Sequence, residues 1–447
     1  MSLRQGQKTQ RRRKALSKIL LVGGGGREDA VARKIVESGG ELFSALKNRN
    51  PSILGLSRDH LIVDELDNDR IVEFAVSKGI ELAFIGPDPV LDTPLEEKLS
   101  KKGILVASPT RAAARLETSK SYMRDLLSRH KITGNIYSKL FTEKADLQSF
   151  LSREKRDFAI KPTGLTGGKG VKVMGVQLRN AAEALSYATQ ILDHDGEVLL
   201  EERITGEEFS LQVFTDGSRV AATPLAQDFK RAYEHDEGPN TGGMGSITDS
   251  NGLLPFIPGT SYESALSVMQ QIAVSMKKDG NPFRGVMYGQ FMETADGPKV
   301  IEVNARFADP ESMNILSLFR GDFVELLYSI AEGNLKSNFS FLKAASVLKY
   351  LVPRGYGTKS EPGSLMVDLK SMSEGTMLYY AAVSGTKEKV EMSASRSLAL
   401  VGIAPTIEEA SDKVEQNLNH FRGDYYIRHD IGSKQMMEEK MRRFRGT

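Results

Sequence analysis

Between Ile19 and Ser119 the chain alternates short apolar runs with stretches of helical spacing, and this limits the fold more than any other feature. ILLV at Ile19, LIV at Leu61, ELAFIG at Glu81 and GILVAS at Gly103 read as strands. AVARKIVES, RIVEFAVSKG and PLEEKLSKKG carry apolar positions at helical intervals. Strands that alternate with helices pair in parallel, because each crossover helix returns the chain to the same edge. In such sheets ligands bind beyond the carboxyl ends of the strands. Two glycine-bearing loops fall there: GGGGRED, Gly23 to Asp29, after the first strand, and GPDPV, Gly86 to Val90, after a later one.

A strand that runs through glycines into a helix leaves backbone N–H groups unpaired, and these form an anion site. The dinucleotide fingerprint does not fit: counted from Gly23 its last glycine is Glu28, and counted from Gly24 it is Asp29. The loop suits a phosphate or a plain tight turn. The absence of cysteine excludes thiolate nucleophiles, disulfides and cysteine metal sites. Six scattered histidines show no metal-ligand spacing, and a net charge of +2 gives no global field for nucleic acid. No apolar run approaches the roughly 20 residues that span a bilayer. Residues 1–18 are basic and polar, and a disordered tail is the expectation.

Downstream, Thr118 or Ser119 is placed to cap a helix ending near His130. RDFAIKPTGLTGGKGVKVMG then reads as a hairpin with a glycine-rich tip. Its lysines, Lys161 and Lys169, suit a polyphosphate, but it is no Walker A loop, because Gly170 stands where Ser or Thr would follow Lys169. The alternative is a solvated hairpin with surface lysines. Four glutamates, Glu201, Glu202, Glu207 and Glu208, lie in the next strand pair. They suit ribose hydroxyls and an adenine amine, or simply a charged hairpin. A further hairpin turns at ADG, Ala295 to Gly297. On its second strand Glu302 and Asn304 share a face with Arg306, and Gln290 lies opposite. That oxygen-rich set suits Mg²⁺ held jointly with phosphates, or else a salt bridge from Glu302 to a lysine.

The order of GGGGRED, IKPTGLTGGKGVKV, EERITGEEFS, GPNTGGMGS, GVMYGQFM and NARFADPES resembles the phosphoribosylamine–glycine ligase family, also called glycinamide ribonucleotide synthetases, of the ATP-grasp superfamily. YYIRHDIG resembles the family's closing segment. The resemblance implies an α/β fold in three parts. These are an N-terminal parallel-sheet (pre-ATP-grasp) domain at 19–118, a two-part ATP-grasp domain at 119–340 with a mobile lid at about 121–192, and a small mixed C-terminal domain at 341–447.

It also implies a reaction: glycine is joined to 5-phosphoribosylamine at the expense of ATP, through glycyl phosphate, with Mg²⁺ or Mn²⁺. By the same resemblance Lys161 and Arg306 are catalytic. ATP is held by Lys120, Lys161, Gly167, Gly168, Lys169, Gly170, Glu201, Glu202, Arg203 and Glu208. Glu201 and Arg203 face adenine, the latter through its backbone, and Glu208 holds ribose. Metal falls to Gln290, Glu302 and Asn304. Substrate falls to Gly24, Gly25, Gly26, Arg27, Glu28, Asp228, Lys230, Pro239, Asn240, Thr241, Gly242, Gly243, Arg306 and Asp309. Relatives often carry His at Asp29, Ala at Thr166 or Gly167, and a smaller residue at Gln290. A cytoplasmic monomer or weak homodimer, with no nucleic-acid or membrane partner, is expected. The rival readings are another ATP-grasp enzyme with a different acyl donor or acceptor, and a nucleotide-binding regulator. GPNTGGMG favours glycine ligation over the first, and the Lys161, Glu302, Asn304, Arg306 set argues against the second.

Overall fold

The computed structural model describes residues 17–165 and 170–445. The basic tail up to residue 16, and Thr166, Gly167, Gly168 and Lys169 at the hairpin tip, lie outside the described residues.

The alternating segment forms the expected parallel sheet. Its strands are β1 (Lys18–Val22), β2 (Glu41–Leu46), β3 (Asp59–Ile62), β4 (Leu82–Ile85) and β5 (Leu105–Val106), in the order β3-β2-β1-β4-β5. All pairs are parallel. β1 is central, which explains why Ile19 to Val22 are apolar without interruption: both faces are covered. The order reverses beside β1, and the loops after β1 and β4 meet there. β2 has no counterpart in the sequence reading, because Ser44 and Glu41 break its apolar run; buried Ser44 is satisfied by the Ser57 hydroxyl at 2.9 Å.

A separate antiparallel sheet, β6 (Ser138–Phe141), β9 (Val198–Glu202), β7 (Phe158–Lys161) and β8 (Lys172–Val173), forms the lid with the helices Lys144–Arg153 and Ala181–Asp195. Its own core runs from Phe141 to Leu200. This shifts the lid from the expected 121–192. The helix Lys120–Arg129, capped by Ser119 as expected, packs Met123, Leu126 and Leu127 into the main core instead. The expected second hairpin is the strand pair Arg284–Thr294 and Gly297–Asn304, in a sheet with β10 (Glu207–Asp216) and β11 (Val220–Ala222).

The C-terminal part is not an independent layer. Its sheet joins strands 345–351, 376–380 and 398–404 to 227–228 and 245–248 of the preceding part. It is also pinned to the first domain. Asp29 is fully buried, and its Oδ2 accepts from the Tyr380 N–H at 2.8 Å and from Arg33 at 3.2 Å. Arg33 donates in turn to Leu378 O at 2.6 Å. Asn50 Nδ2 bridges Gly24 O and Tyr380 O at 3.0 and 2.7 Å.

Asp29→Ala removes the only carboxylate facing Arg33 within salt-bridge distance among the described residues and strands a buried N–H. Such losses cost roughly 3 kcal/mol. A clearly lowered melting midpoint is expected, partly recovered by Asp29→Asn, whose amide oxygen still accepts from Tyr380. A wild-type midpoint in Asp29→Ala would remove this junction from the account of stability.

Candidate functional site

The two hairpin systems face each other across a cleft of about 500 Å³. The lid contributes Lys161, Glu201, Glu202 and Arg203, and the facing sheet contributes Glu208, Gln290 and Glu302. Asp228, Lys230 and Asn240 complete the rim, and Ala159, Val173, Met292 and Ile301 give it an apolar slot fit for a planar ring.

Lys161 Nζ lies 2.7 Å from Glu201 Oε2, and Arg124 grips the same carboxylate at 2.8 and 2.9 Å. Burial alone would raise the Glu201 carboxyl, but Arg124 and Lys161 pull it down to about 2. The Glu201 side chain lines the cleft and holds both Lys161 and Arg124. Arg203 also lines the cleft, and its carbonyl accepts no hydrogen bond among the described residues. Its N–H donates to Asp157 O at 2.9 Å, and its guanidinium pairs with Asp157 at 3.1 Å. The next residue, Ile204, lines the cleft, and its N–H has no hydrogen-bond acceptor among the described residues. Glu202 accepts from the Tyr137 N–H at 2.8 Å. Lys120 donates to Gly164 O at 2.6 Å, tying its helix to the root of the lysine hairpin, and burial lowers its pKa. Gly170 accepts from the Tyr187 hydroxyl at 3.0 Å.

On the facing sheet Gln290 and Glu302 are direct cross-strand partners. Gln290 donates its amide to Glu208, which Lys230 also meets at 2.9 Å; Lys230, helped by Gln290, outweighs the upward push of burial and holds the Glu208 carboxyl below its usual range. Glu302 differs. Its carboxylate makes no ion pair among the described residues and has only a 3.4 Å contact from Asn304 Nδ2. A lysine salt bridge, the alternative reading of Glu302, is thus absent among these residues. The carboxylate is open toward the cleft beside two amide side chains. Among the described residues no group of three or more His, Cys, Asp or Glu is arranged to hold a metal alone. The donor set fits a hard cation that completes its shell with phosphate oxygens.

A second centre lies at the carboxyl edge of the parallel sheet. Arg27 is buried, bonded to Glu28 Oε1 at 2.7 Å and to Phe307 O at 2.9 Å. Arg306 meets Glu117 at 2.7 Å and Asp88 at 3.9 Å, and its buried Nε has no hydrogen-bond partner. An orphaned guanidinium N–H between two acids is a ready donor to an incoming oxyanion. Asp309 accepts from the Tyr350 hydroxyl at 2.7 Å and pairs with Arg396 at 3.1 Å. Arg396 also reaches Gly242 O, while Thr241 Oγ1 donates to Lys230 O at 2.8 Å. Pro239–Gly243 thus spans from the cleft to the second centre.

The glycine loop departs from the expectation of an open anion seat. The N–H of Gly25 is taken by Glu28 Oε2 at 2.8 Å. A Cβ on Gly24 would sit 2.1 Å from Asn48 Oδ1, and one on Gly26 would sit 2.7 Å from the Tyr350 hydroxyl. The protein's own side chains already forbid larger residues there. The sequence reading missed Arg124, Glu117, Tyr350, Arg396 and Ile204. Only Asp88, within the flagged GPDPV loop, carried a signal.

Beneath the cleft Glu311 is buried, accepting from Ser210 Oγ at 3.3 Å. Burial, reinforced by Asp228, pushes its carboxyl from 4.5 up to about 8. Folding therefore retains a proton there. The stabilisation is full below about pH 4.5 and is lost as pH rises through about 8. Glu311→Gln, which keeps the neutral shape, should gain melting temperature relative to wild type as pH climbs across that window. A difference that does not grow with pH would mean the carboxyl is already ionised.

Residues 17–117, 118–312 and 346–434 match the N, ATP-grasp (A) and C domains of phosphoribosylglycinamide synthetase. A phosphoribosylamine–glycine ligase of Thermococcus gammatolerans is 43% identical over 426 residues, 95% of this chain and 96% of its own. One from Methanothermobacter thermautotrophicus is 43% identical over 431 residues, 95% of this chain and 98% of its own. The solved ligase of Thermotoga maritima superposes with a TM-score of 0.77 at 23% identity, covering 92% of this chain and 99% of that one. A biotin carboxylase of Campylobacter jejuni, solved as a β,γ-ATP complex, gives 0.74 at 15% identity, covering 94% and 95%. At these identities the solved structures speak for the fold. The sequence matches run the length of the described sheets, lid and C-terminal part in one order, and the chain belongs to the phosphoribosylglycinamide synthetase family.

Proposed function

We infer that this chain ligates glycine to 5-phosphoribosylamine, consuming ATP and releasing glycinamide ribonucleotide, ADP and phosphate in purine biosynthesis. The observation that carries this reading is the pairing of an open Glu302 in the nucleotide cleft with a separate arginine centre a few residues on, linked by the Glu302–Arg306 segment. One centre handles ATP and the other the acceptor.

The apolar slot takes the adenine ring, with Ile204 N–H as donor, and Glu208 and Lys230 border the ribose. Lys161, held by Glu201, and Lys120 face the phosphates. A divalent metal, Mg²⁺ or Mn²⁺, held by Glu302 with Asn304 and Gln290, supplies neutralisation of phosphate charge when bound. A glycine carboxylate oxygen attacks the γ-phosphorus, giving glycyl phosphate and ADP. Arg306 turns its Nε, which makes no hydrogen bond, toward the charge on the transferring group. The phosphoribosylamine nitrogen then attacks the glycyl carbon, the C–O bond to phosphate breaks, and the nitrogen sheds a proton. No protein nucleophile is required, in keeping with a chain that has no cysteine. Catalysis is positioning and charge neutralisation. Arg27 and the Pro239–Gly243 loop border the acceptor and glycine. A cytoplasmic setting and a monomeric or weakly dimeric state belong to the same reading. Among the described residues no helix is long and apolar enough to cross a membrane.

Glu302→Ala should fold like wild type and lose at least about 100-fold in glycine-dependent phosphate release from Mg-ATP, the range of a lost electrostatic group. A variant with unchanged turnover would end the metal assignment. Hydroxylamine should trap glycine hydroxamate when ATP and glycine are present without phosphoribosylamine. If glycine supports no trapping while the full reaction proceeds, glycyl phosphate is not the intermediate.

A further inference from the structure

The family match ends at residue 434, yet the helix Lys434–Arg445 runs on and returns to the nucleotide cleft, where Lys440 and Arg443 form part of the wall. Lys440 is 7% exposed, which is unusual for a lysine near a chain end. Its ammonium occupies a built seat. Phe229 and Phe256 present their rings with centroids 5.5 Å away, and Glu207 Oε2 lies at 3.3 Å. A cation desolvated between two aromatic faces and a carboxylate is held by all three.

What the seat joins matters more than its strength. Glu207 precedes Glu208 at the start of β10. Phe229 stands between Asp228 and Lys230. The Glu208–Lys230 contact at 2.9 Å lies in the cleft, and its two halves come from these two segments. From the cleft wall Lys440 holds both segments, through Glu207 and Phe229. We propose that Lys440 is a positioning residue for the nucleotide. It fixes the separation of the 207–208 and 228–230 segments and neutralises Glu207 at the border of the ribose end. The proposal rests on the reading of this cleft as an ATP site.

The test compares Lys440→Met, which keeps the apolar stem, with Lys440→Arg, Glu207→Gln and the Lys440→Met/Glu207→Gln double variant in the full chain. Mg-ATP affinity is measured by calorimetry, together with kcat and the KM for ATP and glycine. Lys440→Met should weaken ATP binding and raise its KM about tenfold, the scale of one charge-assisted contact. Its kcat at saturation and its glycine KM should stay within about twofold of wild type, below the effect of one such contact. Lys440→Arg should recover most of the affinity, and the double variant should be no worse than Lys440→Met. Wild-type ATP affinity in Lys440→Met, a fall in kcat without a change in ATP affinity, or additive losses in the double variant would each overturn the proposal. If Lys440→Met does not fold, Lys440→Arg and Glu207→Gln carry the test: equal ATP affinity in wild type and Glu207→Gln, alongside a kcat loss in Lys440→Arg, would overturn it. Wild-type protein that binds no ATP would instead bring down the reading of the cleft.

Discussion

The nucleotide cleft depends on one buried guanidinium. Arg124 holds Glu201 on the lid strand with two hydrogen bonds and donates as well to Val300 O and Ile301 O, each at 2.9 Å, on the strand that carries Glu302. A single rigid, planar donor group thus spans both walls. Lysine could not do this with its point charge and three rotating donors. Glu201 faces two cations, so its ionised state is secure, and Lys161 is aimed by a carboxylate that cannot move. Such a triad is a poor source of net stability, since desolvation offsets much of the attraction. Removing one member is different: it leaves a buried charge uncompensated at a cost of roughly 3–5 kcal/mol. Its value here lies in geometry.

The second centre follows another logic. Arg27, Arg306 and Arg396 meet Glu28, Asp88, Glu117 and Asp309 in a mixed cluster drawn from all three parts of the fold. The charges nearly balance, yet the balance is uneven. Burial pushes Glu117 up, while at Asp88 the same pressure is outweighed by Arg306 and Arg27, which hold it below the usual range. Arg306 keeps one donor unmatched. An anionic ligand that met this donor would complete a network already in place, without reorganising it, which is the condition for electrostatic preorganisation.

Elements set by local chemistry were legible in the sequence. Ser119 caps its helix and the 284–304 hairpin turns at Asp296, whereas the Gln290–Glu302 pairing also needs the register shift between Gln290 and Phe291. The parallel sheet was legible in class and in most of its strands, with β2 lost to its polar interruptions. What was not legible is long-range. Arg124 and Glu201 stand 77 residues apart, and Arg396 and Asp309 stand 87 apart. No periodicity links such pairs. The same blindness hid the partner of Glu201: a glutamate at a strand end looks unengaged until the arginine that holds it is seen. The partner of Arg203 was hidden for a related reason, since only the fold shows that Asp157 takes its N–H.

The glycine loop shows how one sequence feature can answer two demands. Its glycines looked like room made for a phosphate. In the fold Gly24 is pressed by Asn48 and Gly26 by Tyr350; Asn48 Nδ2 ties the loop to the C-terminal part by donating to both Gly24 O and Ala381 O at 3.1 Å, while Tyr350, itself in the C-terminal part, donates to Asp309. The absence of side chains therefore lets the C-terminal part come close enough to place Asp309 and Arg396 beside the start of the helix Gly26–Glu37. A larger residue at Gly26 would push away Tyr350 before it met any ligand. The close approach that the glycines permit is first an approach of protein to protein. The second charged centre exists because that approach succeeds.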